Sequence, residues 1–282
     1  MAQHVLTLRC DNRPGIVAAV ATRLAANGGD ITEAHQFDDR LTGKFFMRVA
    51  FMMEEGTDAF AAGFAEEVAR FGMHWTLRPV DRPRKVLILV SMFDHCMVDL
   101  LYRWRIGELP MQVVGIVSNH PRTILARGEF ADLSYWHLPV TRETKAAQEA
   151  ELRRVVEETG AELIVLARYM QVLSDEMSAW ISGRCINIHH SFLPGFKGAR
   201  PYHQAHERGV KMIGATAHYV TGDLDEGPII AQDAEFVTHA DTPDDLVMKG
   251  RDIERRVLAR AVTLHLEDRV LVNGGKTVVF AK

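Results

Sequence analysis

Residues 86–90 read Val-Leu-Ile-Leu-Val, five apolar side chains with no polar break. A strand with one wet face alternates apolar and polar residues, so an unbroken run marks a strand covered on both faces. Such strands belong to parallel sheets, whose crossover helices cover either side. Further strands are predicted at 113–117, 136–140 and 163–167, with helical periodicity between them around 95–104 and 143–158. Strands at 185–189 and 215–220 extend the series. A long amphipathic helix follows over 243–264, and a terminal hairpin turns at Asn273-Gly274. Strands alternating with helices predict a largely parallel α/β sheet over residues 85–282.

The first 81 residues read differently. Leu6, Leu8 and Cys10 share one face of an opening strand. Pro14 is expected at the first helical position, Ile16, Val20 and Leu24 recur every four residues, and Asn27-Gly28-Gly29 ends that helix. Stretches 31–37 and 45–51 flank a turn and predict a hairpin, with Phe45, Met47, Val49 and Phe51 on one face. Phe60, Phe64, Val68 and Phe71 mark a second helix, and residues 75–80 can close the sheet. The order βαββαβ is ferredoxin-like. The Arg-Pro-Arg join at 82–84 then separates domains 1–81 and 85–282, the two that 282 residues suggest.

A net charge of −4 argues against a general nucleic-acid binder, which would be basic. No apolar run approaches a membrane span, and the alternating start does not resemble a secretory leader. Cys10, Cys96 and Cys185 are odd in number and widely spaced, so buried thiols in a reducing cytoplasm are expected rather than disulfides or structural zinc.

Chemistry concentrates in 187–232. Asn-Ile-His-His-Ser-Phe-Leu-Pro begins at Asn187, Gly-Ala-Thr-Ala-His-Tyr-Val at Gly214, and Leu-Asp-Glu-Gly-Pro-Ile-Ile-Ala-Gln at Leu224. Asn187 and His189 lie two apart at the end of a predicted strand, so both project to one face. The carboxyl ends of parallel strands are where such sheets bind ligands. Pro194, Gly195 and Gly198 predict a loop, and Gly222 and Gly227 bracket one that carries Asp225. An amide donor, an imidazole and a carboxylate suit a site that stabilises an oxyanion and handles a proton. A lone strand histidine is more often a core residue; the ordered pattern is what raises His189 above that. His190, His203, His206 and His218 suggest a zinc site, but their spacing is not that of a catalytic zinc centre, so no metal and no cofactor are expected.

The same pattern resembles the formyltetrahydrofolate-dependent transferases and hydrolases, a Rossmann-like fold family. The resemblance implies that Asn187, His189 and Asp225 act on the N10-formyl carbon. In glycinamide ribonucleotide formyltransferases a Gly/Ser-rich loop after the first strand cradles phosphate; here Ser91-Met92-Phe93-Asp94-His95-Cys96 has no glycine and adds a carboxylate. Methionyl-tRNA formyltransferases carry a further C-terminal domain. Ser91 to Pro110, Val117 to Pro121, His137 to Thr141 and Leu166 to Ser174 look like the formyltetrahydrofolate deformylases, which use water as the acceptor. By that similarity Met170, Val172, Leu173 and Val220 bind the pterin, with core packing as the alternative for the first three. His120 and Asp94 either face the site or cap neighbouring helices.

At the front, Arg9 to Ala18 resembles the strand-to-helix turn of ACT domains, with Asp11-Asn12 where related sequences have Pro-Asp. This implies an amino-acid effector held near Asp11, Asn12 and Gly15, or an oligomerisation module. The combined expectation is a cytoplasmic homo-oligomer, dimer or tetramer, that hydrolyses 10-formyltetrahydrofolate to formate and tetrahydrofolate. Its partners would be the folate and that effector, with neither nucleic acid nor membrane. The alternatives are phosphoribosylglycinamide formyltransferase and a non-catalytic amino-acid or folate sensor.

Overall fold

A computed structural model describes every residue except 55, 56, 126–129, 131, 194–200 and 282. The chain divides into two compact units, one holding Met1–Pro83 and the other Arg84–Leu266. In the first, β1 (Ala2–Asp11), α1 (Ile16–Ala26), β2 (Asp30–Asp39), β3 (Lys44–Met53), α2 (Thr57–Phe71) and β4 (His74–Pro79) form an antiparallel sheet of order β2-β3-β1-β4. One sheet face buries Leu6, Leu8, Val49 and Phe51 against Val20 and Leu24 of α1 and Phe60 and Phe64 of α2. Pro14 lies before the helix rather than in it. Gly15 takes the N-cap at φ 97°, a left-handed backbone that glycine adopts without a Cβ penalty.

β3 is buried along both faces, although an antiparallel strand can leave one face wet. Its second face carries Phe46 and Arg48. Phe46 packs with Leu271, Val278 and Phe280. Arg48 is 4% exposed; its Nη1 donates to Glu33 Oε2 at 2.6 Å and its Nε to the Glu267 carbonyl at 3.0 Å. Arg269 Nη2 donates to both oxygens of Glu33 at 2.9 and 3.0 Å. Residues Glu267–Asn273, and those from Val278 onward, therefore belong with the first unit. The sequence reading placed all of 85–282 in the second; the outer face of β3 is what draws the tail back.

In the second unit β5 (Arg84–Val90), α3 (His95–Arg105), β6 (Met111–Ser118), β7 (Tyr135–His137), α4 (Lys145–Thr159) and β8 (Leu163–Leu166) lead into α5 (Asp175–Trp180), β9 (Cys185–His189) and α6 (Pro201–Glu207). Then come β10 (Met212–Tyr219), β11 (Ile229–Phe236) and α7 (Pro243–Leu266); past α7 the chain ends in β12 (Val270–Asn273) paired with β13 (Lys276–Val279), of which only Gly274–Thr277 count with this unit. The main sheet runs β11-β10-β9-β8-β5-β6-β7. β5 to β9 pair in parallel, while β10 and β11 are antiparallel. Leu152 and Val155 of α4 and Met177 of α5 cover one face, and α7 lies against β9, β10 and β11. Among the described residues no helix is long and apolar enough to cross a membrane. All three cysteines are buried and free.

Burial alone would raise the Glu33 carboxyl, but hydrogen bonds from His35, Arg269 and Arg48 outweigh it and hold the group at about 2. A depressed carboxylate contributes stability that is full above its unfolded value and lost as pH falls through the folded one. This network should therefore weaken between about pH 4.5 and 2. Arg48→Met should destabilise the first unit by about 2–4 kcal/mol, less than a fully buried pair because Glu33 is one-third exposed. Hydrogen exchange of the β2 and β3 amides reads this directly; unchanged protection would refute it.

Candidate active site

Tertiary ties hold the carboxyl ends of β5, β6 and β8 together. Ser91 Oγ donates to Asn119 Oδ1 at 2.7 Å and accepts from the Met170 N–H at 2.9 Å, while the Ser91 N–H donates to the Arg168 carbonyl at 3.2 Å. A cavity opens beside these ends, and Asn187, His189 and Asp225 all line it. The antiparallel register sets Asn187 opposite His218 and His189 opposite Thr216.

That register does chemical work at both positions. His218 is 2% exposed and its Nδ1 bonds the Tyr219 carbonyl at 2.9 Å, so Nδ1 carries the proton. Its Nε2 lies 3.2 Å from Asn187 Nδ2, and accepting from that amide N–H orients Asn187. Thr216 Oγ1 donates to the Ser191 carbonyl at 3.0 Å and accepts from the Leu193 N–H at 3.0 Å and Gln232 Nε2 at 2.9 Å. These bonds pin the turn that leaves His189. Pro194, Gly195 and Gly198, which the sequence assigns to a loop, lie outside the described residues.

Asp225 reaches the same spot from the loop between β10 and β11. Its Oδ2 lies 3.2 Å from His189 Nδ1, and its Oδ1 lies 3.7 Å from His218 Nε2. The backbone of Asp225 is left-handed at φ 58°, a conformation aspartate tolerates better than most residues but still at a cost. Gly227 makes the turn possible: a Cβ there would fall 1.7 Å from the Tyr219 carbonyl oxygen. Burial alone would raise the Asp225 carboxyl, but the bond from His189 and the nearness of the His218 ring outweigh it and hold the group far below the usual carboxylate range. His190 is pushed down to about 4, first by burial and then by the Arg168 charge and His189, so it is neutral near pH 7.

Met170, Val172, Leu173 and Val220 line the same cavity. Met170 and Val172 are 52% and 57% exposed, which core packing would not allow. Leu173 and Val220 pack partly against the core. His120 and Asp94 do not line the cavity: the His120 carbonyl accepts from Tyr135, and Asp94 is the N-cap residue of α3. In the first unit, Asp11 pairs with Lys44 at 2.5 Å, the Asn12 N–H donates to the Gly43 carbonyl at 2.8 Å, and Gly15 caps α1.

Sequence reasoning overlooked a buried cluster next to the cavity. Glu254, 1% exposed, accepts from Tyr202 Oη at 2.6 Å and bonds His95 Nε2 at 2.8 Å, with Arg168 Nε 3.4 Å away. His95, Cys96 and Glu254 have ligand-type atoms within 4.8 Å of one another. They suit a metal poorly, since both Glu254 oxygens are engaged by side chains and a guanidinium stands beside them. No local periodicity marks these residues; an arginine in an otherwise apolar strand end is the one signal available.

Comparison with known proteins gives the family of the chain. The formyl transferase family profile matches residues 84–262, and the ACT domain profile matches residues 4–61. A formyltetrahydrofolate deformylase from Corynebacterium sp. (strain P-1) is 50% identical over 98% of this chain and 98% of its own. The crystal structure of a formyltetrahydrofolate deformylase from Burkholderia mallei ATCC 23344 superposes with a TM-score of 0.94 and 52% identity, over the whole of both chains. A glycinamide ribonucleotide transformylase from Symbiobacterium toebii reaches a TM-score of 0.65 and 31% identity, covering 71% of this chain and 95% of its own.

Gly227→Ala should displace the Asp225 loop and cost about 2 kcal/mol or more, because the new Cβ meets backbone rather than a yielding side chain. A thermal melt should show a drop of several degrees; a wild-type melt would count against the tight turn.

Proposed function

The chain belongs to the formyltetrahydrofolate deformylase family, and from that premise we propose that it hydrolyses 10-formyltetrahydrofolate to formate and tetrahydrofolate at Asn187, His189 and Asp225. One observation carries the reading: the amide, the imidazole and the carboxylate converge on one cavity, with Asp225 Oδ2 3.2 Å from His189 Nδ1. Attack of water on the formyl carbon places negative charge on the formyl oxygen. The Asn187 amide and a His189 ring N–H donate to that oxygen. Asp225 divides its work between two oxygens. Oδ2 accepts from His189 Nδ1 and fixes the orientation of the ring. Oδ1, at 3.7 Å from His218, is beyond hydrogen-bond reach and free to take the proton of the attacking water.

The tetrahedral intermediate then collapses: the C–N10 bond breaks, N10 gains a proton, and formate leaves. Half-exposed Met170 and Val172, with Leu173 and Val220, offer apolar surface to the pterin. The reading needs no metal and no cofactor. It also holds that the ACT domain assembles the enzyme or answers an amino acid near Asp11, Asn12 and Gly15.

Formate release from 10-formyltetrahydrofolate without any amine acceptor is the test. Turnover is expected. No turnover there, but turnover with glycinamide ribonucleotide, would favour the transferase reading that the likeness to the Symbiobacterium enzyme leaves as the competitor.

Asp225→Asn should lower kcat by about a hundredfold or more while tetrahydrofolate still binds. An active variant would remove Asp225 from the chemistry. Because the carboxyl is held far below its usual range, Asp225 stays ionised down to strongly acid pH, and kcat/KM should show no break near pH 4. An acid limb that disappears in Asp225→Asn would contradict this.

A further inference from the structure

The proposed mechanism leaves one cation in the cavity wall unused. Arg168 lies just past β8 with its backbone at φ 64°, a strained setting for a long side chain. Only 10% of the side chain is exposed, yet the residue lines the same cavity as Asn187, His189 and Asp225. Its Cζ sits 5.7 Å from the centre of the Phe93 ring.

The carboxylate beside it does not use the guanidinium protons. Glu254 Oε2 is 3.4 Å from Arg168 Nε, but that oxygen already bonds His95 Nε2 and Oε1 accepts from Tyr202. Glu254 thus supplies a counter-charge that makes a buried guanidinium tolerable. Among the described residues neither Nε nor Nη1 of Arg168 finds an acceptor. Buried donors on a charged group are costly to leave unpaired, and these are shielded from bulk water as well.

Hydrolysis at this site creates an acceptor. Water's oxygen joins the formyl carbon, the C–N bond breaks with nitrogen taking one proton, and at neutral pH the second proton leaves formate as an anion. That anion forms beside the Asp225 carboxylate, which repels it. We propose that Arg168 is the product subsite: its buried guanidinium, at the cavity wall, turns its unpaired N–H groups to the monocarboxylate formate that leaves Asp225. The assignment rests on the deformylase reading. A carboxylate could also come from the glutamate tail of the folate itself, and the experiment separates the two sources.

Inhibition of tetrahydrofolate formation by sodium formate is measured against sodium chloride of equal ionic strength. For Arg168→Gln the formate inhibition constant should rise about tenfold or more, the scale of a lost charge-assisted hydrogen bond, with Arg168→Lys intermediate. Should Arg168→Gln fail to fold, Arg168→Gly replaces it, since glycine accepts a φ of 64° without strain. Equal constants in wild type and variant overturn the proposal, as does a wild-type enzyme that formate inhibits no more than chloride. The proposal also fails if the variant loses affinity for tetrahydrofolate but not tetrahydropteroate, which lacks the glutamate, while formate inhibition stands. Titration of isotope-labelled formate by NMR reads the subsite without turnover. A wild-type chain that releases no formate would therefore sink the functional reading separately, and the Arg168 assignment would still be decided by that titration.

Discussion

The antiparallel register between β9 and β10 governs the geometry of the site. It pairs Asn187 with His218 and His189 with Thr216, so each candidate catalytic side chain on β9 has a fixed polar neighbour on β10. Because strand side chains alternate with a period of two, a slip of one residue would put the β9 pair on the face opposite the β10 pair. The switch from parallel to antiparallel pairing at β9 therefore has a chemical consequence. It starts β10 beside the carboxyl end of β9 and runs it back along that strand, so Asp225 on the following loop folds over to His189 and His218.

Asp225 comes to His189 by a different kind of constraint. It lies on a short loop with positive φ, and the loop closes only because Gly227 approaches the Tyr219 carbonyl more closely than any Cβ allows. The strain at Asp225 is offset by what the carboxylate gains from the two histidines. Local conformation and electrostatics thus reinforce each other. The same contacts that depress the carboxyl also favour holding it where the backbone would otherwise resist.

Much of this was legible in the sequence because the relevant spacing is local. Asn187 and His189 share a face since they are two apart on a strand, and the run at 86–90 identifies a strand covered on both sides. Helix boundaries were less legible: Pro14 suits a first helical turn, yet Gly15 with its left-handed backbone takes the cap. β7 runs over Tyr135–His137 and so takes in only two of the five residues expected at 136–140. The features that escaped are those whose partners are distant in the chain. Glu33, Arg48 and Arg269 form one buried network across more than two hundred residues, and no periodicity announces it. Arg168, Tyr202, His95 and Glu254 converge from four separate segments, each of which reads as an ordinary strand end, loop or helix.

The charges around the cavity explain why such distant convergence matters to chemistry. Asp225 and Glu254 are both held ionised, His190 is neutral near pH 7, and Arg168 is the permanent cation among them. Two carboxylates against one guanidinium leave the surroundings short of positive charge. Substrate and water enter as neutral reacting groups, whereas formate departs as an anion. A cavity with that charge balance would by itself repel the product made beside Asp225. Dividing the two tasks between residues resolves the conflict, with Asp225 bonded to His189 and Arg168 left for the anion.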